Sequence, residues 1–267
     1  MRVPRFVLPL LSALTLACGT GDRAGSAPDG DPAPEPSVGS GPFVAFPAAG
    51  VASSNPDTVP DPGIVRERGI GVLGFDPGPQ LAGRIADSIE VWADSTPAAA
   101  VIARMVLDTT GVFRFEAREG LLERPGALDY GYQEVGLVVL ERRGEWLRVF
   151  LGNGADGAGV SGWSRARERV SALTLWEDLL PGLPLFFAVP PDSMGFHAVA
   201  DGPEVQFPIG DGYIMRSLTV DGDWMRVRVV SPSDYCATPA ALREDTLWIR
   251  WRGASGNPRV WFHTRGC

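Results

Sequence analysis

The strongest constraint on this chain is a segment that occurs twice. Residues 136–151 read GLVVLERRGEWLRVFL, and residues 213–230 read YIMRSLTVDGDWMRVRVV. Each is an apolar run, a tight polar turn around Gly144 or Gly222, and then Trp-Leu-Arg-Val or Trp-Met-Arg-Val. Trp146, Arg148 and Phe150 alternate with Leu147, Val149 and Leu151, and Trp224, Arg226 and Arg228 alternate with Met225, Val227 and Val229. A period of two in β-branched and aromatic residues predicts strands, and Asp221-Gly222 is a short-hairpin signal. One face of each hairpin must therefore meet a core, while the other carries Trp with Arg. With 33 Gly and 24 Pro, a long helical bundle is excluded, and the absence of a three-residue period excludes collagen.

The flanks repeat as well. SIEVWADSTPAAAVIARMV (88–106) precedes the first hairpin and LPLFFAVPPDSMGFHAVAD (183–201) the second, each with a short apolar strand broken by proline. Downstream lie Gly162-Trp163-Ser164-Arg165 and Val260-Trp261-Phe262-His263, read as equivalent aromatic closures. The second copy carries, before its closure, an insert of about 30 residues holding Cys236 and a further strand, Thr246 to Trp251. This duplicated pattern resembles the bacterial Src-homology-3-like (SH3b) barrel, in which a Gly-turn hairpin leads into a Trp-x-Arg/Lys-Val strand and a Gly-Trp strand follows. The resemblance covers 86–168 and 183–264, and the long stretch 107–131 departs from it. It implies an all-β fold of two tandem small SH3-like β-barrels with elaborated loops, at 86–168 and 183–267. Turn signals every 8–12 residues favour small β-architectures independently, and a closed barrel exposes no long edge strand.

Between the repeats, 169–182 is expected to be a linker or a short helix, with Trp176, Leu179 and Leu180 packed between the two units. Residues 42–85 are an N-terminal arm, read either as a cap on the first barrel or as poorly ordered chain, in which Pro42–Phe46 and Gly69–Phe75 are candidate short strands.

Ahead of these, Arg2 and Arg5 precede an apolar run from Phe6 to Ala17, too short to span a bilayer but suited to an export signal. It ends Leu14-Thr15-Leu16-Ala17-Cys18, which resembles the lipobox of bacterial lipoproteins, with Thr15 where leucine is usual. That resemblance implies a signal peptide over 1–17, a lipid on Cys18 and, with Gly19 following, an anchor in the outer membrane facing the periplasm. Residues 18–41, rich in Gly, Pro, Ser, Ala and Asp and without aromatics, then serve as a flexible tether. The remaining cysteines, Cys236 and Cys267, are an even pair in an oxidising compartment and a disulfide candidate, worth roughly 3–4 kcal/mol by loop-closure entropy.

Catalytic signatures are missing from the sequence. No P-loop, dinucleotide fingerprint, HExxH or GxSxG occurs. Two His and three Cys leave little for a zinc centre, and no cofactor is expected. A net charge of −8 without a basic block argues against nucleic acid as a partner. Gly152 to Gly157 lacks the lysine of a phosphate loop and reads as a β-loop, while Glu116, Glu119, Glu123 and Asp129 would support hydrolysis only across a defined cleft. The candidate ligand-binding residues are therefore aromatic and cationic: Trp146, Arg148, Trp163 and Tyr132 in the first repeat, and Trp224, Arg226, Tyr213 and Trp261 in the second. The same tryptophans can equally be packing residues between barrels. The expected role is non-catalytic binding of peptide or peptidoglycan at the cell envelope, with membrane contact only through the lipid. The alternatives are a structural role docking an envelope protein, or a hydrolase built on the carboxylates.

Overall fold

The computed structural model describes residues 41–46, 69–75, 87–109, 112–131, 134–209, 212–231, 243–254 and 256–262. The alternating segments become antiparallel strands in two sheets, and the fold is all-β. The first sheet contains β1 (Phe43–Phe46), β2 (Gly71–Phe75), β3 (Asp87–Trp92), β4 (Val101–Leu107), β5 (Phe113–Arg118), β6 (Arg124–Pro125), β7 (Ala127–Gly131), β8 (Glu134–Arg143), β9 (Trp146–Asn153), β10 (Gly159–Arg165) and β11 (Ser171–Leu175). The second contains β12 (Pro184–Phe187), β13 (Phe196–His197), β14 (Glu204–Val205), β15 (Ile214–Asp221), β16 (Trp224–Ser231), β17 (Arg243–Arg250) and β18 (Val260–Phe262). Their orders are β1-β5-β4-β3-β10-β9-β8-β2-β11, with β6 on β9 and β7 on β8, and β14-β13-β17-β16-β15-β12-β18.

A shared kernel sits inside both orders. β11-β2-β8-β9-β10 and β18-β12-β15-β16-β17 each place a last strand beside a first, followed by a three-strand meander. Both predicted hairpins, β8–β9 and β15–β16, are present, and Gly144 and Gly222 take φ of 61° and 56° at their tips. That left-handed conformation is what a tight hairpin turn asks of its central residue.

Three expectations change. Closed barrels are not what forms: among the described residues the edge strands of neither sheet pair with each other. In both repeats the chain between the first and second kernel strands returns to pair with the fourth, β3 with β10 and β13 with β17, so the sheet grows sideways instead of curling shut. The first repeat also opens on β2 and closes on β11, outside the expected 86–168, while 88–106 supplies the inserted β3 and β4. β2 escaped the pattern comparison because it is buried on both faces and so shows no alternation. The expected short helix in 169–182 shrinks to one turn, α1 (Trp176–Leu179), because all five residues of β11 pair with β2.

Leu73, Ile89, Met105, Phe115, Leu137, Leu147 and Val149 lie in one core, and Met215, Met225, Val227, Val229, Ile249, Trp251 and Phe262 in the other. The second core continues onto Val72, Val138 and Phe150, on the far face of the first sheet. Trp176 joins them as expected: it is 3% exposed, its ring meets Trp261 edge-on at 5.4 Å, and its Nε1–H donates to the Gly69 carbonyl at 2.8 Å. Arg252 donates to the same carbonyl from the second repeat at 2.6 Å.

Candidate functional site

Strand pairing places each Trp-x-Arg of the hairpins beside another. In the first sheet Trp146 lies opposite Arg165 and Arg148 opposite Trp163. In the second, Trp224 lies opposite Arg250 and Arg226 opposite Trp248. Trp163-Ser164-Arg165 therefore corresponds to Trp248-Ile249-Arg250, not to Val260-Trp261-Phe262, and the strand read as part of an insert is the fourth kernel strand. Sequence comparison missed Arg165, Trp248 and Arg250 as site residues. The shared Trp-x-Arg spacing was the available signal.

The correspondence extends one strand further. Trp92 on β3 pairs with Trp163, and His197 on β13 pairs with Trp248. The Trp92 and Trp146 rings meet edge-to-face at 5.7 Å and 89°, and those of His197 and Trp224 at 4.9 Å and 88°. Such T-shaped pairs set the positive ring edge against the negative face. All these side chains project from the sheet face opposite Leu147 and Val149, or Met225 and Val227, as the period of two requires.

The electrostatics of the two faces differ. In the first repeat Arg165 stacks on Trp146 at 3.8 Å and Arg143 on Trp163 at 4.8 Å. Glu141 contacts Arg148 at 3.8 Å and Arg143 at 3.3 Å, and Glu145 contacts Arg165 at 3.4 Å. The Nε atoms of Arg148 and Arg165 are enclosed without a hydrogen-bond acceptor, so rings and distal carboxylates hold these cations. In the second repeat Arg250 lies over Trp224 at 5.1 Å and 3.6 Å from Asp201. Arg228 donates to Glu244 at 2.7 Å, and that hydrogen bond raises the Arg228 pKa and lowers that of Glu244. Thr219 stands opposite Arg226 where the first repeat has Glu141 opposite Arg148.

Of the other candidates, Tyr213 points inward. Its hydroxyl accepts the Phe187 N–H at 3.0 Å, its ring lies 4.8 Å from that of Phe187, and burial raises its pKa. Trp261, 7% exposed, is a core residue between Trp176 and Phe262, since β18 pairs with β12 beneath α1. Neither joins the outer face. Tyr132, Cys18, Cys236 and Cys267 lie outside the described residues.

The loop from Gly152 is a self-contained β-loop, with Asp156 Oδ1 accepting the Ala158 N–H at 2.9 Å and Gly154 N–H donating to the Ala158 carbonyl at 2.9 Å. Glu116 is bound to Arg104 at 2.6 Å, and Glu119 and Glu123 are exposed. Among the described residues no group of three or more His, Cys, Asp or Glu is placed to hold a metal ion. What the arrangement offers is an aromatic, arginine-bearing sheet face made twice, its cations held by carboxylates in the first repeat.

Compared with models of known families, with curated proteins and with solved structures, the chain matches none.

Proposed function

We propose that this chain is an exported, lipid-tethered and non-catalytic protein that binds peptide or peptidoglycan through two SH3-like modules. Cys18 carries the lipid, 18–41 is the tether, and the modules work at the periplasmic face of the outer membrane. The observation that carries this reading is the repeated kernel: one five-strand order, a Gly-turn hairpin and a paired Trp-x-Arg surface, all occurring twice.

The test is sedimentation of the purified mature chain with isolated cell-wall sacculi. Binding that falls when Trp224 is replaced by alanine is the expected result. A chain that stays in the supernatant while recovering one discrete envelope protein sinks the peptidoglycan reading. That outcome belongs to the second reading, a structural partner in an envelope complex, which the self-neutralised face of the first repeat favours. The tether is tested separately: Cys18→Ser is expected to abolish acyl labelling and release the chain from membranes.

A further inference from the structure

The first repeat serves as an internal reference for the second. Both present a third-strand Arg between a stacked Trp and a cross-strand Trp, yet their charge surroundings differ. Arg148 is half-buried and has Glu141 beside it, whereas Arg226 is exposed and faces the neutral Thr219. The other cations around it are engaged: Arg228 with Glu244 at 2.7 Å, Arg250 with Asp201 at 3.6 Å, and Arg216 with the Gly182 carbonyl at 3.3 Å. Among the described residues Arg226 has no acceptor, in a chain that carries a net charge of −8.

We propose that Arg226 is a carboxylate subsite on the outer face of the second sheet, with Trp248 and Trp224 supporting the apolar part of a bound extended peptide. The inference rests on the envelope-binding reading for the source of that peptide, and it selects the peptide stem of the cell wall over its glycan. A guanidinium presents a planar fork that matches a carboxylate, and hydrogen bonds to a charged acceptor are the strong ones. Residues alternating along a strand lie about 6.6–6.8 Å apart, and neighbouring strands about 4.8 Å, so Arg226, Trp224 and Trp248 form one patch sized for a short extended chain. The platform is rigid: the His197 ring is held by its Nδ1 contact with the Gly202 carbonyl at 2.7 Å and abuts Trp224 edge-on.

Sugar stacking fits less well, because it needs an open ring face, and that of Trp224 is shared with Arg250 at 5.1 Å. A polyanion fits less well too, since Asp221 lies across from Trp224 and Glu204 across from His197, and both would repel it. One guanidinium without an acceptor among the described residues matches one carboxylate.

The experiment is calorimetric titration of the full mature chain and its Arg226→Gln and Arg148→Gln variants. The probes are a free stem tetrapeptide, its carboxamide form and the glycan disaccharide alone, with folding of each variant checked by circular dichroism. The tetrapeptide is expected to bind the wild type, and carboxamide conversion or Arg226→Gln to weaken binding about ten- to a hundred-fold. Arg148→Gln, on the first repeat's own face, should weaken it less than Arg226→Gln does, as Glu141 already compensates that charge. Equal binding by Arg226→Gln, undiminished binding of the carboxamide, or tight binding of the disaccharide alone overturns the subsite. Sedimentation with sacculi that survives Arg226→Gln overturns the subsite and leaves the envelope reading standing. Tetrapeptide binding without sacculus sedimentation does the reverse.

Discussion

The two repeats share a kernel and differ in what has been added around it. In the second, β12 alternates between half-buried and buried residues, and the outer sheet face stays open. In the first, the insertion β3–β7 widens the sheet, β2 is buried on both faces, and the outer face is filled by its own ion pairs. The same strand order thus gives one repeat that serves as scaffold, packed on both sides, and one that keeps a free surface. Duplication supplies the geometry; the residues opposite the hairpin arginines decide how each copy uses it.

The sharpest way to break this comparison is at the seam. Trp176→Ala removes a buried ring shared by both repeats and leaves the Gly69 carbonyl without its indole donor. We expect a loss of about 3–5 kcal/mol in denaturant unfolding, with fluorescence and circular-dichroism transitions no longer coincident. A loss under about 1 kcal/mol with coincident transitions would mean that the repeats do not stabilise each other.

The next test uses one register position with opposite demands. Gly162 and Leu247 each precede the fourth-strand Trp. A Cβ at Gly162 would meet Val91 Cγ1 at 2.6 Å and the Trp92 carbonyl at 2.8 Å, because β3 lies close there, whereas Leu247 fills the second core. Leu247→Ala is expected to cost about 2–5 kcal/mol by leaving a cavity, and Gly162→Ala about 1–3 kcal/mol by overpacking. A neutral Gly162→Ala would show that β3 can move away without cost.

Smaller effects separate the aromatic pairs. A double-mutant cycle on Trp92 and Trp146 should give a coupling of about 0.5–1.5 kcal/mol, and the cycle on His197 and Trp224 a smaller one, the imidazole being the smaller ring. Equal couplings would erase that distinction.

The slightest effect is alkaline. Burial first, and the nearby Glu134 carboxylate second, push the Tyr130 phenol up to about 12. A raised folded-state pKa favours the neutral form in the fold, so this contribution is intact below the unfolded value near 10 and is lost as pH rises towards 12. Tyr130→Phe should flatten the fall in stability across that window, and an unchanged profile would assign the fall to other groups.

Much of the fold could be read locally. Strict alternation at Trp146 to Leu151 and Trp224 to Val229, with Gly at both turns, identified the hairpins and their buried faces. Trp176 was also legible, as a large aromatic next to a helix-stopping Pro181-Gly182 pair. The strand role of β11 was not, because its pairing with β2 spans about a hundred residues and overrides a weak local helical preference. Half of each candidate site was visible as Trp-x-Arg on the third strand. The other half was hidden in the second repeat, where the corresponding Trp248-Ile249-Arg250 lacks the glycine that marks Gly162-Trp163.

By itself, then, the amino-acid sequence determined an antiparallel all-β chain, its duplication and the inward face of each hairpin, since these follow from side-chain period and turn chemistry. Tertiary structure alone decided which strands open and close each repeat, why the sheets stay open, and that Trp261 is core while Trp248 is surface. Cross-strand partners are chosen by pairing between segments distant in the chain, and a doubly buried strand such as β2 carries no period to announce its neighbours. The difference between Arg148 and Arg226 is of this second kind: it depends on whether Glu141 or Thr219 lies across the ladder.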